Sequence, residues 1–150
     1  MNRVLVRAEE VPLPSWTKRA NRFVKKVLEI LDHKNWEVSV LFCNNKYIKS
    51  LNAQYRNKDE PTDVLSFPLG ETDTRYYLAG DIVVSLDALE ENARFFKVSE
   101  DEELRRLLVH GILHLSGKDH ATNKAEESML KIQEEILALL AGERIQEHAP

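Results

Sequence analysis

The window from His110 to His120 constrains this chain more than any other stretch. It reads His-Gly-Ile-Leu-His-Leu-Ser-Gly-Lys-Asp-His and holds three of the five histidines in the spacing H-x3-H-x5-H. The residues ahead of it read as a helix. Ser99 followed three residues later by Glu102 forms a capping box. Glu100, Asp101, Glu102 and Glu103 set negative charge on the positive end of the helix dipole, and Leu104, Leu107, Leu108 and Leu115 supply a core side. On such a helix His110 and His114 stand one turn apart on one face. Gly117 can stop the helix in the left-handed conformation. The chain must then reverse, which brings His120 to the far side of the bend.

Two imidazoles at that spacing can share one metal at about 2.0–2.1 Å from each nitrogen. His110, His114 and His120 together leave a fourth position open, the usual arrangement of a catalytic zinc. One Zn2+ per chain is the expected cofactor, and other divalent transition metals suit the same nitrogen ligands. Asp119 has two readings: an acceptor that orients a ligating histidine, or a cap for the next helix. The window overlays the metzincin zinc-peptidase pattern H-E-x-x-H-x-x-G-x-x-H at every fixed position but one. Gly111 stands where those peptidases carry their glutamate base. The expected site is a metal centre stripped of the peptidase base.

At 150 residues the chain suits one domain with a real core, expected to span residues 1–150. No apolar run reaches the length of a membrane span, so no membrane partner is expected. Met1 to Glu10 carries four charges and lacks a signal-peptide core, and Cys43 is alone in an apolar run that suits a small buried side chain. Both points lead to an expected cytoplasmic location. A net charge of −4 argues against a general nucleic-acid binder, and no DNA partner is expected. The charge is uneven: residues 1–60 carry a net +5 and residues 61–150 a net −9. The basic part is read either as a face for phosphates or as ordinary solvated helix surface.

Arg3 to Arg7 reads as a short strand. Ser15 is expected to cap a helix from Trp16 to about Leu31, whose other face carries Lys18, Arg19, Arg22, Lys25 and Lys26. Glu37 to Cys43 alternates as a strand, and Asn45 to Tyr55 reads as a second helix. Val64 to Phe67, between Pro61 and Pro68, reads as a short strand followed by a loop from Leu69 to Thr74. Tyr76 to Ser85 is the best strand, entered by a turn at Gly80-Asp81, with Asp81 read as structural. Ser85 caps a helix to about Phe96, the histidine helix follows Ser99, and a last helix spans about Asn123 to Ala141. Met129, Ile132, Ile136 and Leu140 form its inward stripe, and the tail after Gly142 is expected to fray. The expected fold class is α/β (α+β): an open mixed sheet of about four strands flanked by about five helices, with the metal site on a helix and the loop after it. Strand–helix–strand at the start favours a parallel pair, and Tyr76 to Ser85 is the strand expected to run against the others.

Tyr55 to Pro68 is the second dense signal, because its charged residues lead straight into a short apolar strand. Arg56 is the candidate functional cation, with a planar fork that can hold two phosphate oxygens and a charge that persists at any working pH. The alternative is a structural pair with Asp59 or Asp63. Lys58 is the second cation assigned to substrate contact.

Together these clusters resemble the YbeY family of bacterial endoribonucleases. The resemblance rests on Leu51-Asn52 through Arg56, Pro61 through Pro68, Gly80 through Ser85, and His110 through His120. It implies one α/β domain, a zinc held by His110, His114 and His120, a functional arginine at Arg56, and cleavage of single-stranded RNA. It further implies work on the 3′ end of small-subunit ribosomal RNA and in ribosome quality control, hence association with the ribosome. Family members usually have Tyr where this chain has Lys118, a departure that leaves the three ligands intact and bears on substrate contact. Two rival readings stand beside this one: a metallopeptidase-like hydrolase, and a non-catalytic ribosome assembly factor with a structural metal.

Overall fold

The computed structural model describes residues 1–117 and 123–146. Their elements run β1 (Arg3–Ala8), α1 (Thr17–Ile30), β2 (Trp36–Cys43), α2 (Asn45–Arg56), β3 (Val64–Thr72), β4 (Tyr77–Ser85), α3 (Leu86–Phe96), α4 (Glu100–Leu115) and α5 (Asn123–Leu139). The four strands form one open sheet in the order β1-β2-β4-β3. The expected α/β architecture, with a mixed sheet and flanking helices, is present. Among the described residues no helix is long and apolar enough to cross a membrane.

Inward residues on one sheet face, Val4, Val38, Val40, Phe42, Ile82 and Val84, join the apolar sides of α1, α3, α4 and α5 in the main core. The other face builds a smaller cluster from Leu41, Cys43, Ile48, Leu65 and Val83 under α2. Helix α4 lies at the centre of the main core. Leu104, Leu107, Leu108, Val109, Ile112, Leu113 and Leu115 are all buried, so the helix is apolar around most of its circumference, as a central helix should be. Ser99 caps it, its hydroxyl accepting the Glu102 N–H at 3.0 Å, and Ser85 caps α3 in the same way. Met129 is 1% exposed, which places it in the core.

The strand directions correct the expected sheet. β4 runs parallel to β2 at the centre, and β3 is the strand that runs against its neighbour. β3 also continues through Pro68 to Thr72, where a loop was expected. Pro68 is tolerated because β3 is an edge strand, and the ladder shifts register between Pro68 and Glu71. Gly80 and Asp81 lie inside β4, not in a turn ahead of it. Gly80 has φ 139°, and a Cβ there would sit 2.2 Å from the Phe67 carbonyl oxygen and 3.0 Å from Leu115 Cδ2. Only glycine lets β3, β4 and the end of α4 meet this closely.

Three smaller expectations also change. Ser15 does not cap α1: the helix starts after Trp16, whose carbonyl accepts the N–H groups of Arg19 and Ala20. Asp101 is buried rather than merely facing the helix dipole, and its Oδ1 accepts the N–H groups of Ile145 and Gln146 at 2.8 and 2.7 Å. That contact, with Ile145 fully buried, pins the segment after Gly142 that was expected to fray, at least as far as Gln146. The basic face of α1 is partly engaged there as well, since Arg19 donates to the Ile145 carbonyl and Lys26 pairs with Glu143.

Candidate active-site cleft

Helix α4 presents His110 and His114 from its last two turns. Their Nε2 atoms converge to 3.0 Å, with ring centroids 4.6 Å apart. Two nitrogens on one tetrahedral ion would be about 3.3–3.4 Å apart, so a shift of a few tenths of an ångström admits a metal. His110 Nδ1 lies 3.0 Å from Gln133 Oε1, an acceptor on α5 that is 3% exposed. Pairing with an amide oxygen requires Nδ1 to carry the hydrogen, which leaves the Nε2 lone pair available for a metal. Gln133 was missed in the sequence, where its only mark is an amide set among the apolar residues of the α5 stripe. Gly117 ends the helix with φ +80°, the left-handed stop its position suggested. Lys118, Asp119 and His120 lie outside the described residues. Among the described residues no group of three or more His, Cys, Asp or Glu is assembled around one point.

Gly111 turns toward the sheet. A Cβ on it would lie 2.8 Å from Ile82 Cγ2, and Ile82 is fully buried. A glutamate here would have to push Ile82 aside, so glycine suits the close packing of α4 on β4 at this point. The Gly111 carbonyl also accepts the Ser66 hydroxyl at 3.2 Å, tying α4 to β3.

Arg56 closes α2, where Asn57 takes the left-handed cap conformation at φ 58°. Buried Asn52 organises the loop that follows, its Nδ2 donating to the Glu60 carbonyl at 2.9 Å and its carbonyl accepting the Lys58 N–H. Neither Asp59 nor Asp63 pairs with Arg56. Asp59 lies 4.0 Å from Lys49, and Asp63 accepts from Asn92 at 3.0 Å and from its neighbour's N–H at 2.8 Å. Arg56 and His114 instead line one cleft of about 530 Å³ with Trp36, Ser66, Pro68, Tyr77, Ser116 and Gly117. Lys58 is exposed and is not among the residues that line it. Asp81, expected to be structural, is exposed on the opposite sheet face, where it lines a second cleft with Arg7 and Tyr47.

The fold and this cleft define an α/β protein with paired imidazoles on a central helix, one of which shares a cleft with an arginine. The family model of Endoribonuclease YbeY matches residues 5–141. A Treponema denticola protein named Endoribonuclease YbeY is 53% identical over 125 residues, covering 79% of this chain and 80% of its own length. Proteins of the same name from Treponema pallidum (43% identical, 92% of this chain, 89% of that protein) and Borrelia duttonii (46%, 87% and 89%) are also similar. A Thermotoga maritima protein solved in solution superposes with a TM-score of 0.57 at 32% identity, over 98% of this chain and 97% of that one. The chain belongs to the Endoribonuclease YbeY family.

Proposed function

We propose that this chain is a zinc-dependent endoribonuclease that cuts single-stranded RNA in the cytoplasm, with ribosomal RNA at the small subunit as its substrate. On this reading it serves maturation of the 3′ end of that RNA and ribosome quality control. The observation that carries the reading is the shared cleft, which both Arg56 and His114 line, while His114 Nε2 meets His110 Nε2 at 3.0 Å. His110 and His114, with His120, would hold the metal. Held there, zinc would supply Lewis acidity toward a phosphoryl oxygen and would acidify a water toward about neutral pH.

The chain's own groups divide the remaining work. Gln133 holds the His110 ring in the tautomer that exposes Nε2. Arg56 binds two non-bridging phosphate oxygens and neutralises the negative charge that grows on them during displacement. Lys58, two residues on and exposed, meets a neighbouring phosphate. Gly111 disfavours peptide hydrolysis, because the position lacks the carboxylate base those peptidases use and a side chain there would press on Ile82.

Purified wild type, Arg56→Ala and His114→Ala, each incubated with single-stranded RNA and with casein, test the proposal. RNA should be cut and casein left intact, with both variants slowed about 10²-fold or more. RNA cleavage at the wild-type rate by both variants would mark a contaminating nuclease and leave a non-catalytic RNA-associated factor.

A further inference from the structure

Trp36 and Tyr77 begin two neighbouring parallel strands and are register partners. Their ring centroids lie 5.0 Å apart at an interplanar angle of 45°, and both residues line the cleft that holds Arg56 and His114. The backbone beneath them is held firmly. The Trp36 N–H donates to Asn2 Oδ1 at 2.9 Å, and the Tyr77 N–H donates to the Asn35 carbonyl at 2.8 Å. His33 stacks on the indole with centroids 3.7 Å apart and planes 11° from parallel. His33 Nε2 lies 2.9 Å from Ser116 Oγ, which donates to the Ile112 carbonyl, so the stack is tied to the last turn of the histidine helix. Trp36 and Tyr77 nevertheless stay half-buried.

A rigid aromatic wall beside a guanidinium has the two features a nucleotide needs, a cation for the phosphate and a π surface for the base. We infer that Trp36 and Tyr77 receive a nucleobase of the RNA strand whose phosphate Arg56 holds. The inference rests on the endoribonuclease reading and names the residues that engage its substrate. A base paired and stacked within a duplex cannot reach such a wall, whereas an unpaired base can splay onto it. Stacking of this kind tolerates any base, since every base has a π face.

Trp16→Phe leaves Trp36 as the sole tryptophan, because the chain has two and Trp16 packs against Phe42 at 5.0 Å. In that background, a single-stranded 2′-O-methyl oligoribonucleotide with a terminal dye reports binding by polarisation while indole emission reports contact. Oligomers with one abasic site, moved along the strand, locate the base. Emission should change with the same midpoint as polarisation, and one abasic position should abolish that change and weaken binding about 5- to 100-fold. Trp36→Leu and Tyr77→Leu should weaken the intact strand but not the abasic one. Binding that is lowered by Arg56→Ala yet indifferent to every abasic position, with constant emission, would overturn the aromatic wall and leave the RNA reading standing. No binding at any concentration would overturn both. Should the leucine variants fail to fold, emission and the abasic series decide alone.

Discussion

His110 Nδ1 and Gln133 Oε1, on helices α4 and α5, lie 3.0 Å apart in a largely buried setting. An acceptor placed behind a ligating imidazole fixes its ring and raises its basicity, and removing such a partner costs about 10–100-fold in metal affinity. Gln133→Leu is therefore expected to weaken zinc binding by that factor in competition with a chromogenic chelator. Gln133→Glu, which keeps an acceptor, should hold the metal as well as the wild type does. Equal affinity in the leucine variant would mean that Gln133 does not orient the ring.

Gly111 packs α4 against Ile82 of β4 with no room for a Cβ between them. Gly111→Ala gains helix propensity worth about 1 kcal/mol. It also forces a methyl to within 2.8 Å of a β-branched, fully buried side chain. Overpacking of this kind costs about 1–3 kcal/mol, so a net loss of stability is expected in urea denaturation. Ile82→Ala removes the opposing methyl. The double variant should then be less destabilised than the two single losses added together. Simple additivity would show that the two sites do not press on each other.

Glu103 sits 3% exposed in α4, with its Oε2 accepting from Asn92 at 3.1 Å. Burial raises its carboxyl above the usual 4.5, Asp63 and Glu102 add to the rise, and the Asn92 bond and Arg106 oppose it. The folded chain therefore keeps this proton to higher pH than the unfolded chain does. Stability is greatest below about pH 4.5 for this group, and falls as pH rises through its folded value. Glu103→Gln should remove that fall, so the variant gains on the wild type in urea midpoint between pH 4 and pH 7. A variant that loses ground over the same range would contradict the direction of the shift.

Cys43 is fully buried in β2, 3.6 Å from the Val84 carbonyl that its thiol approaches. Burial, helped by the Asp87 charge, pushes its pKa up to about 12 against a weaker opposing bond from the Ile48 backbone. Thiolate is the reactive form, so the native protein at pH 8 should resist disulfide-exchange reagents and react fully only in denaturant. Stoichiometric labelling of the folded protein at pH 8 would contradict this.

What the sequence disclosed was local. Ser85 and Ser99 announced the helices they cap because a cap is decided within three residues, and the stripe through Leu104, Leu107 and Leu108 announced the buried side of α4. β3 passes through Pro68 only because it lies at the sheet edge, a fact set by strands distant in the chain. The same distance hid Gly80, whose need for glycine comes from the Phe67 carbonyl on the neighbouring strand. Of the site, the His110 and His114 pairing could be read from helical spacing, and Arg56 from the charged loop that leads into the short apolar run at Val64–Phe67. Gln133 could not, because the ring it supports belongs to another helix. Nor could the joining of Trp36 and Tyr77 to Arg56, which depends on the β2–β4 register.

Diffraction from zinc-loaded crystals at energies on either side of the zinc edge tests the metal centre most directly. One anomalous peak per chain should lie about 2.0–2.1 Å from both His110 Nε2 and His114 Nε2. A map with no peak between those imidazoles, or with the two rings turned away from any common point, would contradict it.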